Sequence, residues 1–288
     1  MTTEISPTSV LPGPNILLMG PGGTGKTHSL GTAVDAGWDV FYVGLEPGLE
    51  SLLGYWTDRG LPVPENLHWH IVAAPKASFT DMIESATKVN TMGLDTLAKM
   101  IDPKRANHNQ FVKFLEALNS YQDQRTGKNY GAVDTWSEGM MLAVDGLTGL
   151  SRAAMSLVVG GKPVKSMADW GIAQDQVERI NRMLTDNCRC AYTLIAHVER
   201  ETDQVMGGIK LTVSTLGAKL APKMTPMFSD VILAVREGSK FTWDTANASA
   251  DLKTRNLSIS AGQSPDFGKI LTKWKSRGGT LTPTTVSK

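Results

Sequence analysis

A glycine-rich segment near the N-terminus constrains this chain more than any other feature. Residues 20–27 read Gly-Pro-Gly-Gly-Thr-Gly-Lys-Thr, which satisfies the pattern G-x-x-x-x-G-K-[ST] of phosphate-binding loops. The apolar residues 15–19 before it predict a buried strand, and residues 28–36 after it can form a helix. Strand, glycine loop and helix are the context in which this pattern binds nucleoside triphosphates, so the sequence predicts a nucleotide site.

The residue types in this segment explain how it would hold phosphates. Glycines let backbone N–H groups turn inward, and the helix N-terminus adds a partial positive charge. Lys26 would place its charge on the β- and γ-phosphates, and the Thr27 hydroxyl would bind Mg²⁺. We therefore predict ATP and Mg²⁺ as the ligands. The predicted nucleotide-binding residues are Gly20, Pro21, Gly22, Gly23, Thr24, Gly25, Lys26, Thr27 and His28.

The composition fits one globular unit with a substantial core. The chain has 288 residues, of which 41% are hydrophobic, enough for one large α/β domain or for one domain with an elaborate insertion. We expect no membrane span, because no apolar run approaches the ~20 residues required, and residues 1–14 show no signal-peptide pattern. Cys188 and Cys190 lack the spacing of a disulfide or a zinc site and are expected to line a buried strand. These features favour a reducing cytoplasm, whereas the net charge of +1 neither favours nor opposes nucleic acid.

Apolar strand-like runs alternate with helical stretches along the chain, which is the pattern of a parallel sheet with crossover helices. A glycine-punctuated stretch follows the last parallel strand and extends to residue 226. The predicted strands are residues 38–44, 67–73, 140–145 and 190–197, with a terminal hairpin at 230–236 and 240–244. Helices are further predicted at residues 147–159 and 168–187.

We divide the chain into three parts. Residues 1–13 are predicted to be a flexible segment, and residues 14–260 an ATPase core. The core carries a helical insertion at about residues 76–131, within which residues 79–124 are helix-compatible. Residues 261–288 form a basic C-terminal segment, disordered from about residue 278 onwards.

Two acidic residues are predicted to complete the nucleotide site. Asp145 ends an apolar strand, which carries its carboxylate to the carboxyl edge of the sheet, where it can hold the hydration shell of Mg²⁺. The next residue is Gly146, not the glutamate that many phosphate-loop ATPases use to activate water. We therefore predict Glu46 as the base, because it follows the strand at residues 40–44, which we expect beside the loop strand. The alternative is that Glu46 only begins a helix.

A phosphate loop, a glutamate closing the next strand and a metal aspartate followed by a small residue together resemble the core of RecA-type ATPases. The chain is similar to the phage RecA-like single-strand annealing proteins known as the "Sak four" group over about residues 14–260. The downstream segments that carry the likeness are residues 216–219, 228–231, 241–243 and 253–255. The resemblance implies a RecA-type α/β core, ATP hydrolysis, single-stranded DNA as ligand and assembly into a homo-oligomeric ring or filament. It also implies a single-strand binding protein as a candidate partner and, for a phage protein, the bacterial host cytoplasm.

The resemblance implies roles for three further residues. His197 follows the strand-like residues 191–196, where RecA-like proteins carry a polar sensor of the γ-phosphate. Lys253 and Arg255 match a K-x-R pair that reaches the γ-phosphate of a neighbouring subunit. Residues two apart in an extended segment point the same way, so both cations could act together. Without the resemblance, these two residues are an ordinary solvated basic pair.

RecA-like proteins contact single strands through two loops, which correspond here to residues 159–170 and 200–222. Cations there could follow a phosphate backbone, and an aromatic ring could stack on a base. The predicted DNA-contacting residues are Lys162, Lys165, Trp170, Arg200, Lys210, Lys219 and Lys223. Basic loops are also common without DNA, and Trp170 could instead pack at the start of a helix. Residues 269–277 form a second basic patch.

The sequence thus predicts a RecA-type ATPase that hydrolyses ATP slowly and engages single-stranded DNA in recombination or annealing. Two alternatives stay open. In the first, nucleotide controls contact with a protein partner such as a helicase, without DNA binding. In the second, the chain is a KaiC-like regulatory module with no role on DNA.

Overall fold

A seven-stranded sheet forms the centre of this computed structural model, which describes residues 11–76, 78–202 and 207–281. Six strands run parallel, and the last pairs antiparallel with the sixth at one edge. In spatial order the strands are β3 (Leu67–Ile71), β2 (Asp39–Gly44), β4 (Met140–Asp145), β5 (Ala191–Ala196), β1 (Asn15–Met19), β8 (Asp230–Glu237) and β9 (Lys240–Asp244). A separate antiparallel pair consists of β6 (Val198–Thr202) and β7 (Ile209–Val213). The predicted α/β fold class with a mainly parallel sheet is confirmed.

Helices cover both faces of the sheet, because side chains alternate along each buried strand. On β1, Leu17 and Met19 face one helical layer, whereas Ile16 and Leu18 face the other. The first layer contains α6 (Gln110–Asn119), α7 (Leu147–Val159) and α8 (Met167–Asp186). The second contains α2 (Gly31–Asp35), α3 (Leu49–Thr57) and α10 (Phe267–Lys275). The remaining α-helices of the described residues are α1 (Lys26–Ser29), α4 (Phe79–Thr91), α5 (Leu94–Lys99) and α9 (Ala221–Met224).

The order of the strands corrects one prediction from the sequence. β2 does not lie beside the loop strand β1, because β4 and β5 separate them. The parallel register nevertheless aligns the carboxyl ends: Gly44 of β2 pairs with Asp145 of β4, and Ala196 of β5 pairs with Met19 of β1. Segments that follow four different strands therefore meet at one edge of the sheet, which is where ligands bind in open α/β sheets.

Elements with strong local patterns have the predicted bounds. β4, α7 and β9 match the predicted residues 140–145, 147–159 and 240–244. The β6–β7 hairpin was not predicted, although Ile209, Leu211 and Val213 alternate with polar residues in the manner of a strand. The glycines at residues 207, 208 and 217 obscured that signal, since glycine punctuation is more typical of a loop.

The predicted insertion is helical but divided. Its 79–124 stretch forms α4, α5 and α6, and the chain then turns back along the β3 edge, where the backbone N–H of Gln124 donates to the carbonyl of Trp69 at 2.9 Å. Residues 1–13 and 278–288 were predicted to be flexible or disordered. Of these, residues 1–10 and 282–288 lie outside the described residues. In the described part of the chain, no helix combines the length and apolar character needed to cross a membrane.

Candidate nucleotide-binding site

The loop between β1 and α1 has the backbone that its glycines predict. Gly23 and Gly25 have φ angles of 72° and 75°, in the left-handed region that favours glycine. Gly20 packs against β8, since a β-carbon there would lie 2.5 Å from the carbonyl oxygen of Ala234. The ring of Phe241 covers Gly25, where a β-carbon would lie 3.1 Å from it. The β8–β9 hairpin thus fixes the shape of the phosphate loop.

Lys26 turns its ammonium group back into this loop. Its Nζ donates to the carbonyl oxygens of Gly20 at 2.8 Å and Pro21 at 2.7 Å. Burial lowers the pKa of Lys26 to about 8, although the nearby carboxylates of Asp145 and Glu46 act in the opposite direction. A cation that water solvates poorly gains more from an anionic partner, so this lysine is suited to bind phosphate.

Thr27 and Asp145 meet at the carboxyl edge of the sheet. The Thr27 hydroxyl donates to Oδ2 of Asp145 at 2.7 Å, and the Tyr42 hydroxyl donates to the same oxygen at 3.0 Å. Burial raises the pKa of Asp145, while these two hydrogen bonds favour its ionised form. Gly48 permits this packing, because a β-carbon there would lie 2.7 Å from Oδ2 of Asp145.

This pair of oxygen donors fits Mg²⁺. A hydroxyl and a carboxylate are hard ligands, and Mg²⁺ usually keeps several waters and takes further oxygens from substrate phosphates. Among the described residues no cluster of three or more His, Cys, Asp or Glu side chains could hold a metal by itself. The site therefore suits a cation that arrives with phosphate better than a cation caged by protein ligands alone.

Glu46 reaches the same edge from the segment after β2. Its Oε1 accepts a hydrogen bond from the guanidinium of Arg152, and its Oε2 lies 4.0 Å from Nε2 of His197. A β-carbon on Gly146 would lie 2.6 Å from Oε2 of Glu46, and one on Gly149 would lie 2.8 Å from its Cγ. Glycines after Asp145 therefore leave the space that the Glu46 side chain occupies.

One open cavity of about 820 Å³ joins these residues. It contains the phosphate loop, Glu46, Asp145 and His197, and it continues between α1 and α3 towards Tyr55 and Asp58. His28, one of the predicted nucleotide-binding residues, is exposed on this wall. Its Nδ1 lies 3.1 Å from the Ser51 carbonyl oxygen, and its ring contacts the Tyr55 ring edge-on. The cavity has room for a base and ribose beyond the phosphates.

Lys253 and Arg255 lie elsewhere, at the amino edge of the sheet. Lys253 pairs with Val231 near the start of β8, at the opposite end of the strand from the phosphate loop. Burial, followed by the neighbouring Arg255 cation, lowers the pKa of Lys253. The buried carboxylate of Asp230 holds this turn, accepting from the Thr254 hydroxyl at 2.8 Å and from the Arg255 backbone N–H at 2.8 Å. The two cations are thus adjacent but remote from the loop of their own chain.

The predicted DNA-contacting residues do not form one loop surface. Arg200 and Lys210 lie on the strands of the β6–β7 hairpin, and Trp170 is half-buried in the first turn of α8, where it packs against the core. Trp170 thus packs at the start of a helix, which is the alternative to DNA contact given above for this residue. Three of the lysines lie near carboxylates: Lys162 with Asp169 at 3.7 Å, Lys210 with Asp251 at 2.9 Å and Lys223 with Glu178 at 2.7 Å. The exposed cations of the set include Lys165, Arg200 and Lys219.

Sequence reasoning missed three residues that shape the site. Tyr42 and Arg152 contact the proposed metal and base carboxylates, and Phe241 covers the phosphate loop. None belongs to a short motif, because each reaches the site only through the packing of a distant element. Cys188 and Cys190 are both buried free thiols, but they precede β5 instead of lining it as predicted, because that strand begins at Ala191.

No protein-family model matches the chain, and a search of curated proteins finds no match. Among solved structures, the chain is similar to a crystal structure of the RadB recombinase, with 14% sequence identity and a TM-score of 0.39. The alignment covers 88% of this chain and 86% of that chain.

Proposed function

We propose that this protein is an ATP- and Mg²⁺-dependent ATPase that binds single-stranded DNA and acts in homologous recombination or single-strand annealing. The observation that carries the ATPase assignment is that Lys26, Thr27, Asp145 and Glu46 line a single cavity. A phosphate cradle, metal-binding oxygens and a carboxylate base are the groups that phosphoryl transfer requires. The resemblance of residues 14–260 to RecA-type ATPases supports the role on DNA.

Each residue of the cavity would have a defined task in hydrolysis. Lys26 and the loop amides hold the β- and γ-phosphates, and Thr27 with Asp145 holds Mg²⁺, which supplies charge neutralisation on the transferring phosphoryl group. Glu46 orients the attacking water and accepts its proton. His197 lies 4.0 Å from Glu46, at a position from which it can report the γ-phosphate to the β6–β7 hairpin that begins at the next residue.

Assembly supplies the remaining cations in this proposal. Lys253 and Arg255 lie at the amino edge of the sheet, away from the phosphate loop of their own chain. In a ring or filament of identical subunits they act on the nucleotide of a neighbouring copy. An arginine supplied in this way stabilises charge in the transition state, so hydrolysis becomes dependent on assembly.

DNA contact is proposed for the basic residues beyond α7 and along the β6–β7 hairpin. Exposed ion pairs contribute little free energy, so the pairs of Lys210 and Lys223, whose lysine side chains are 39% and 54% exposed, present no large barrier to a competing phosphate. Binding through such contacts is expected to weaken as salt concentration rises. Single-stranded DNA has no fixed shape that a rigid site must match, so contacts spread over several elements can follow it.

Binding of a fluorescent single-stranded oligonucleotide tests this proposal. We expect anisotropy to rise only with ATP and Mg²⁺ present, together with growth of the particle size into rings or filaments. The Lys26→Ala protein is the matched control and should show neither effect. An absence of binding at low salt in every nucleotide state would overturn the DNA role.

A nucleotide-switched partner protein is the second candidate function, and α4 favours it. α4 has no buried residue, and Phe79 and Ile83 are 85% and 66% exposed. Together with Met82 and Val89 they form an apolar stripe at helical spacing, a surface typical of protein contacts. ATP-dependent capture of a helicase or a single-strand binding protein, without affinity for DNA, would favour this function.

A further inference from the structure

Arg152 is the exposed exception on a largely buried helix. Every other residue of α7 is buried or half-buried, whereas the Arg152 side chain is 69% exposed. Although the side chain is largely exposed, its guanidinium group donates to Oε1 of Glu46. The helix that begins directly after Gly146 therefore connects its one exposed cation to the proposed base.

The contact with Arg152 occupies one of the two carboxylate oxygens of Glu46. One carboxylate oxygen accepts from Arg152, and the other faces Gly146 and the His197 ring. In the described part of the chain, neither a hydrogen bond nor an ion pair joins Glu46 to Lys26 or Thr27. A carboxylate oxygen that already accepts from a guanidinium group is held in one orientation, and this oxygen is not free to accept a hydrogen bond from an attacking water.

We propose that Arg152 restrains Glu46 in the resting protein and that a phosphate group of bound DNA withdraws the guanidinium, which frees Glu46 to orient water. This inference rests on the proposed ATPase and DNA-binding function. Arginine forms bidentate contacts with phosphate, and the Arg152 end of this pair is exposed, so a phosphate can compete for its guanidinium group. The far end of α7 leads into the turn that carries Lys162 and Lys165, and Arg152 is the exposed cation of α7 itself that a DNA phosphate can reach.

Arg152 is thus a positioning residue. Its removal should raise kcat, whereas removal of a catalytic residue lowers it. Because water screens the exposed Arg152 end of this pair, loss of the pair should shift the population by about two- to fivefold, and Arg152→Met should raise kcat without DNA by about that factor. KM for ATP should stay unchanged, since the phosphate loop is untouched. Addition of oligothymidylate should stimulate the wild type but not this variant. Arg152→Lys, which keeps the charge, should retain most of the restraint and the stimulation.

Steady-state ATP turnover with and without oligothymidylate measures these effects, with thermal unfolding to verify folding and Arg152→Gln as a second neutral variant. Turnover of either neutral variant below that of the wild type would overturn the inference, as would equal stimulation of wild type and Arg152→Met by oligothymidylate. Failure of the proposed function is distinct: wild-type protein would then show no turnover that Lys26→Ala removes, or no binding of oligothymidylate by anisotropy.

Discussion

Gly146 leaves the space in which the Glu46 carboxylate lies, since a β-carbon at this position would lie 2.6 Å from Oε2 of Glu46. Gly146→Ala should therefore displace the proposed base and lower kcat by about tenfold or more, while ATP binding persists. Glu46→Gln removes the proposed base itself and sets the lower limit of kcat, with an expected loss in kcat of about 10²- to 10⁴-fold. Gly171→Ala on α8 is the control, because a β-carbon there meets nothing within 4 Å. Full turnover by Gly146→Ala would contradict the role of Glu46.

The pKa of Lys26 predicts how nucleotide affinity depends on pH. Burial lowers this pKa to about 8, and a bound phosphate raises it again by favouring the ammonium form. Affinity for ATP should therefore be constant below the pKa that Lys26 has in the nucleotide-free protein. Above that pKa, the affinity should fall by up to about tenfold per pH unit. Titration calorimetry across this range measures the effect. Lys26→Arg, which stays charged, should bind with little dependence on pH in the same range; an equal fall in this variant would assign the pH dependence to another group.

Tyr42 should support the metal site through Asp145. Its hydroxyl donates to Oδ2 at 3.0 Å, so Tyr42→Phe removes a hydrogen bond from a buried carboxylate. We expect the free energy of unfolding to fall by about 1–2 kcal/mol and the Mg²⁺ concentration for half-maximal turnover to rise. Tyr192→Phe is matched, because its buried hydroxyl donates to Asn181 at 2.8 Å away from the site. A change in Mg²⁺ dependence in both variants would indicate a general loss of stability.

Mixing two inactive proteins tests whether Arg255 acts on a neighbouring subunit. Lys26→Ala lacks a functional phosphate loop but keeps the cations, and Arg255→Ala has the reverse defect. If the arginine acts across an interface, a mixture should recover turnover that neither protein has alone. Arg255→Ala at full rate in an assembled state would exclude the role, and Lys240→Ala, at the exposed start of β9, serves as a charge-matched control.

Short-range patterns in the sequence determined much of the site. The phosphate loop, the strand that ends in Asp145 and the helix at 147–159 are local features, because the apolar periodicity and the glycines that specify them lie within a few residues. The α/β class follows from the alternation of such segments. These parts were predicted with the bounds that the structure has for β4 and α7.

Only the tertiary structure decided how these parts meet. Strand order places β4 and β5 between β2 and β1, and the parallel register still brings the segment that carries Glu46 to the phosphate loop. The contact of Arg152 with Glu46 joins residues 106 positions apart, and the anchoring of Arg255 on Asp230 depends on where the chain crosses β8. Hydrophobic periodicity specifies which face of a strand is buried but not which strand lies beside it, since that choice depends on how the crossover helices pack.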